Sequence, residues 1–249
     1  MSVRVVPLEL EKFHTLPSHT RRCVFWEMDR ADDATAQTGP YESESFDSGL
    51  TDPGRTSVDY ESEFDKEAWI SGLLLEWGTC AQVAIESSTG SVVGTAFYAP
   101  PVRVPRASRF PTAPVGADAV LLSTVTTEPG FEEVAVALMD AVVADVVHRG
   151  VRAIEAFGFS GSREPLERDL VGLMLGNGMD SDACLECVMP TQFLIDSGFE
   201  TVAADLYLPR LRLELDEGLR WKSAVERALE KLVVEAAVDL SGRTPSPVG

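Results

Sequence analysis

Hydrophobic positions along the chain change period several times, and each change marks an element. Val3–Val6 alternate as a short strand, and Leu8–Phe13 suggest a small helix. "RRCVFWEM" is an unbroken aromatic and β-branched run that predicts a buried strand. From Asp29 to Asp65 the pattern vanishes. The segment is rich in Asp, Glu, Ser, Thr, Gly and Pro and nearly empty of Leu, Ile and Val. It cannot bury enough apolar area to offset its ordering entropy, so it is expected to be a mobile acidic insertion.

Helical period returns in "EFDKEAWISGLLLEWG", where Trp69, Leu73, Leu74 and Trp77 share a face and Gly78 is placed as a C-cap. "AQVAIES" and "SVVGTAFYA", joined at Thr89–Gly90, predict a hairpin. Residues 100–117 carry five of the fifteen prolines and are expected to be irregular. "AVLLSTVTT" is apolar enough for a strand covered on both faces. A helix from about Phe131 to His148, stopped by Gly150, leads into the strand "VRAIEAFGF". Strand, helix and strand with short turns make a βαβ unit, so the two strands are predicted to be parallel neighbours.

Residues 159–186 form a second excursion, with a short helix suggested at Leu166–Leu175. "MPTQFLIDSGFETVAADLYLPRLRLEL" predicts a helix ended by Gly198 and then one or two strands. Trp221, Val225, Leu229, Leu232 and Val233 mark a last helix, and 241–249 read as a disordered tail. The sum is one α/β domain over 1–240, built on a mixed, mostly antiparallel sheet with helices on both faces.

Charge narrows the function classes. Forty acidic against twenty-one basic residues give a formal −19, a surface that repels nucleic acid and anionic lipid. Arg103, Arg106 and Arg109 make the one modest basic patch in the sequence. No stretch has the apolar length of a membrane span, the N-terminus has no signal-peptide core, and four cysteines in this length do not make a secreted disulfide framework. A cytoplasmic protein is expected. The acidic 29–65 segment could steer a basic partner or a cationic acceptor, though a solvated insertion is the plainer reading.

Three segments carry a resemblance. "LLSTVTTEPGFEEVAVALMDAVV" resembles a strand that ends in a Val-x-Pro-like turn, followed by the pyrophosphate loop Arg/Gln-x-x-Gly-x-Gly/Ala and a Leu-Leu helix. "RAIEAFG" looks like the next strand, which splays from its neighbour to admit an acyl thioester. "FLIDSGFE" is similar to an aromatic-x-x-x-Gly-Phe helix ending. The family they resemble is the GNAT N-acetyltransferase superfamily, over about residues 19–215. The positions of Trp, Phe and Pro further resemble a bacterial GNAT-like subgroup of undefined substrate, here with a degenerate pyrophosphate loop.

The resemblance implies a GNAT-like domain with a splayed parallel strand pair and acetyl-CoA as cofactor. The cofactor would be held by Val125, Thr126 and Thr127 and by the turn Gly130, Phe131, Glu132, Glu133, Val134, Ala135 and Val136. Within that turn the Arg/Gln position is Gly130, the central glycine is Glu133, and the last Gly/Ala is Ala135. A carboxylate roughly 4–5 Å from a phosphate opposes binding by about two to three orders of magnitude at an effective dielectric near 20. Against this stands a plain structural reading, since acidic residues in a helix's first turn suit its macrodipole. The family's frequent Tyr, four residues before the Gly-Phe glycine, is Leu194 here, which has no proton to donate. The implied activity is acyl transfer from CoA to an unidentified small-molecule or protein amine. The alternative is a non-catalytic binding or regulatory module on the same fold, without acetyl-CoA affinity.

Transfer to an amine needs a proton acceptor. Glu155, inside an apolar strand, and Glu27, ending "CVFWE", are the candidates, each with a salt-bridged or capping role as the plainer reading. Trp26, Glu76 and Tyr98 are candidates for an acceptor pocket. Cys184-Leu-Glu-Cys187 is a lone CxxC with no second pair after it, so two ordinary cysteines are favoured and no metal is expected.

Overall fold

The computed structural model describes residues 2–28, 62–161, 171, 175 and 184–215. Most of the acidic insertion, most of the 159–186 excursion, the last helix and the tail lie outside the described residues.

The strands are β1 (Val3–Pro7), β2 (Ala81–Glu86), β3 (Val92–Ala99), β4 (Ala119–Thr127), β5 (Ala153–Phe159), β6 (Met189–Pro190), β7 (Glu200–Ala203) and β8 (Arg210–Glu214). The helices are α1 (Ser18–Arg22), α2 (Glu63–Glu76), α3 (Val134–His148) and α4 (Thr191–Asp196). The sheet runs β1-β2-β3-β4-β5-β8-β7, with β6 pairing β5. Every pair is antiparallel except β4–β5 and β5–β6. This single α/β domain has the parallel pair that the sequence predicts.

Alternation along the strands feeds two cores. Phe97, Leu121, Phe157 and Phe159 face one core, which also takes Ile70 and Leu73 of α2. Ala96, Tyr98, Val120, Leu122, Ile154 and Ala156 face the other, packed on Leu138, Val142 and Val146 of α3. Ser62 caps α2 by accepting from the Asp65 N–H, and at the far end the Gly78 N–H, at φ 91°, returns to the Leu73 carbonyl. The predicted hairpin is β2–β3. Residues 100–117 contain two short 3-10 turns, Pro101–Arg103 and Pro105–Arg109, each begun by a proline.

One element departs from expectation. "RRCVFWEM" is not a strand. Helix α1 ends in it, and Cys23 N–H donates to His19 O while Met28 N–H donates to Val24 O. Cys23 through Glu27 are all buried, and a short run apolar on every side does not distinguish a strand from a coiled turn. The basic patch also dissolves. Arg106 is buried with its Nε donating to Phe25 O, and Arg103 pairs with Glu76 at 3.3 Å.

Candidate functional site

The central feature is where β4 and β5 part. They pair over three positions, Ala119↔Ala153, Val120↔Ile154 and Leu121↔Glu155. Beyond these, among the described residues, β4 keeps only β3, out to Gly94↔Thr127. On β5, Ala156 and Phe157 pair with β8, while Gly158 and Phe159 pair with β6. The Cys187–Pro190 segment therefore sits on β5 where β4 has left it. Gly158 permits this: a Cβ there would lie 2.5 Å from Thr191 Oγ1 and 3.0 Å from the Thr191 Cα.

A small cavity of about 10 Å³, about the room of one water, lies at the split. Thr124 and Thr126 of β4 line it, with Trp26, Glu27, Lys66 and Cys187. Glu27 Oε1 accepts from Lys66 Nζ at 2.5 Å, with both side chains buried. Burial pushes the Glu27 carboxyl above its ordinary value, and the Lys66 ammonium partly offsets this. Lys66 also lies 4.6 Å from the Phe97 ring centroid, a cation–π contact. Trp26 stacks on Phe110 at 5.0 Å and donates from Nε1 to Cys187 O at 3.0 Å.

The other expected residues fall elsewhere. Glu155 is buried, but Arg210 and Arg212 both pair with it and the Gly116 N–H donates to it at 3.1 Å. Two guanidiniums and an amide leave that carboxylate occupied as a structural anchor for β8, which removes it from the proton-acceptor role expected for it. Tyr98 is fully buried in the α3 core. Its hydroxyl donates to Asp145 Oδ2 at 2.7 Å and accepts from Gln82, and burial raises its pKa. It faces α3 rather than the split. Glu76 is exposed in its pair with Arg103. Leu194 is fully buried on α4.

Val125, Thr126 and Thr127 close β4, and Thr126 Oγ1 meets Thr95 Oγ1 at 2.9 Å. In the turn that follows, Gly130 adopts φ 86°, a left-handed conformation suited to glycine. Its N–H donates to the Glu132 carboxylate at 3.0 Å. That bond, with one from Glu132's own N–H, holds the Glu132 carboxyl below its ordinary value. Phe131, Val134 and Ala135 N–H groups donate to Glu128, Phe131 and Glu132 carbonyls. Three of the turn's amides thus bond its own carbonyls, and a fourth bonds its own anion. Glu133 is exposed at the N-cap with no side-chain cap bond, Val134 is buried, and Val136 is exposed.

A second constellation was missed by sequence reasoning. His19, Cys23, Cys184 and Cys187 place their ligand atoms within 4.8 Å of one another. His19 Nε2 is 3.2 Å from Cys187 Sγ and 3.4 Å from Cys184 Sγ, and Cys23 Sγ is 3.4 Å from Cys187 Sγ. Contact among the thiols pushes the Cys184 pKa down and the Cys187 pKa up. The signal was present as two pairs at helical spacing. His19 and Cys23 are one α-turn apart, and Cys184 precedes and Cys187 ends the 3-10 turn Leu185–Cys187. The 160-residue gap between the pairs hid it.

A larger recess of about 850 Å³ opens at the opposite ends of β4 and β5, lined in part by Trp77, Pro100, Val115, Val120 and Arg152. None of the sequence-predicted site residues lines it.

No family model and no curated protein matches the chain. Solved structures do. An N-acetyltransferase from Staphylococcus aureus Mu50 matches at 12% identity and TM-score 0.43, over 87% of this chain and 100% of that one. YncA, a putative acetyltransferase from Salmonella typhimurium with its cofactor acetyl-CoA, matches at 12% and 0.43, over 86% and 95%. PaiA N-acetyltransferase from Thermoplasma acidophilum, in complex with coenzyme A, matches at 13% and 0.41, over 86% and 99%. These likenesses are broad, and the site rests on its own geometry. Among the described residues, no helix is long and apolar enough to cross a membrane.

Proposed function

We propose that the protein is a GNAT-like N-acyltransferase that moves an acyl group, acetyl in the simplest case, from a CoA thioester to an amine of a small molecule or protein. The observation that carries this reading is the parting of β4 and β5 after three residue pairs. It leaves a β4 edge along which a thioester arm could bond to backbone at Val125, Thr126 and Thr127. The turn Gly130–Val136 would take the pyrophosphate. The amine nitrogen attacks the thioester carbonyl carbon, the C–S bond breaks with the thiolate leaving, and Glu27 accepts the ammonium proton. Trp26 walls the site beside it. The room at the split is about that of one water, so binding by this reading includes an outward shift of its lining.

A second reading has its own observation. The Glu132 carboxylate on the Gly130 N–H already fills part of the anion site, as it would in a binding module without CoA affinity. Titration calorimetry with acetyl-CoA, on the native chain and on the E132Q/E133Q variant, separates the two. For the acyltransferase, native binding is measurable and the variant binds about tenfold tighter or more. No heat from either protein up to millimolar ligand overturns it.

A further inference from the structure

We propose that His19, Cys23, Cys184 and Cys187 form a structural zinc site. Zinc takes thiolate sulfur at about 2.3 Å and imidazole nitrogen at about 2.0–2.1 Å, tetrahedrally, so its ligand atoms stand about 3.8 Å (S···S) and 3.6 Å (S···N) apart. The contacts of 3.2 and 3.4 Å, with all four atoms inside 4.8 Å, bracket that tetrahedron closely. Small side-chain rotations complete it without backbone movement.

Donor chemistry points the same way. Three thiolates and one imidazole are a soft set that selects zinc over the hard cations, and magnesium or calcium would require oxygen. Four protein ligands fill the coordination sphere and leave no open position for water, which marks the site as structural. The supports are local and rigid. One ligand pair is an α-turn, the other a 3-10 turn, and Trp26 Nε1–H fixes the Cys187 carbonyl. Cys23 and Cys187 are buried, and His19, Cys23 and Cys187 also line the one-water cavity at the split, so a metal here would border that cavity.

The ion would tie the end of α1 to the segment leading into β6 and α4. That segment covers β5 where β4 leaves it, so the metal fixes the far wall of the split. This consequence for the acyl site rests on the acyltransferase reading; the ion's presence does not.

The test uses the full chain purified without chelator. Metal analysis is expected to find about one zinc per chain. After stripping, added cobalt(II) should give the intense visible absorption of a four-coordinate thiolate site. Cys184 is the least buried of the three thiol ligands, and C184S should cut bound zinc at least tenfold, while C80S, outside the cluster, leaves it unchanged. Should C184S fold poorly, the native chain still decides: zinc should protect three thiols from a disulfide reagent, and chelation should expose them. Absence of zinc together with absence of the cobalt spectrum overturns the proposal. So does a freshly isolated chain lighter by two hydrogens and carrying a Cys23–Cys187 disulfide. An acetyl-CoA titration of zinc-loaded protein that gives no heat removes the acyl reading and leaves the metal standing.

Discussion

The turn before α3 and the corner where α1 meets Cys184–Cys187 are built in opposite ways. In the turn, most partners are near neighbours: Glu132 answers Gly130, and the carbonyls of 128, 131 and 132 answer amides three residues on, while the Glu128 N–H alone among these reaches out, to the Val93 carbonyl of β3. In the corner, partners come from three distant places. His19 and Cys23 meet Cys184 and Cys187, and Glu27 meets Lys66. A turn closed on itself has little to lose when one side chain changes. A corner assembled across the chain loses a buried partner each time, and the survivor stays in low dielectric.

Substitutions can break or sharpen that contrast. The largest effect belongs to the corner. Lys66→Met leaves Glu27 buried without its counter-ion and should cost about 3–5 kcal/mol in denaturant unfolding near pH 7. The sign of its pH dependence follows from Glu27. Burial raises the folded Glu27 pKa above 4.5 and Lys66 holds it partly down, so removing Lys66 raises it further; the deficit should grow as pH climbs past the native Glu27 pKa and shrink in acid. A deficit independent of pH would point to lost packing of the lysine stem instead.

Next comes Trp26→Phe, which keeps much of the stacking on Phe110 and removes the donor to the buried Cys187 carbonyl. A loss of about 1–3 kcal/mol is expected by thermal or chemical unfolding. Gly130→Ala in the turn should cost less, about 1–2 kcal/mol, because φ 86° penalises a Cβ while nothing lies within 4 Å to clash with it. An equal loss at Gly130 and Lys66 would erase the distinction between the regions.

The smallest effect is at Glu132. Its carboxyl is held below its ordinary 4.5, so its stabilisation is present above the unfolded value and is lost as pH falls through the lower folded one. E132Q should therefore flatten the acid limb of the stability profile slightly. An unchanged limb would mean the bond to Gly130 contributes nothing in solution.

The sequence by itself determined the hairpin, α2 with its glycine stop, the parallel β4–β5 pair around α3, and the α4 ending at Gly198. Each depends on periodicity and on turn residues acting within a few positions. It also determined that the turn before α3 is acidic, since Glu128, Glu132 and Glu133 are read directly. Tertiary structure alone decided the rest. "CVFWE" was readable only as apolar, and its coil into a turn depends on partners brought from elsewhere: Lys66 of α2, Phe110, and Phe157 of β5. Glu155 and Glu27 look alike in sequence, two acids beside apolar runs. Arg210 and Arg212 from β8 claim the first, and Lys66 from α2 leaves the second at the split. The four-ligand corner was the least legible of all. Sequence spacing reports what one or two turns of chain bring together, whereas His19 and Cys187 meet only because a whole sheet folds between them.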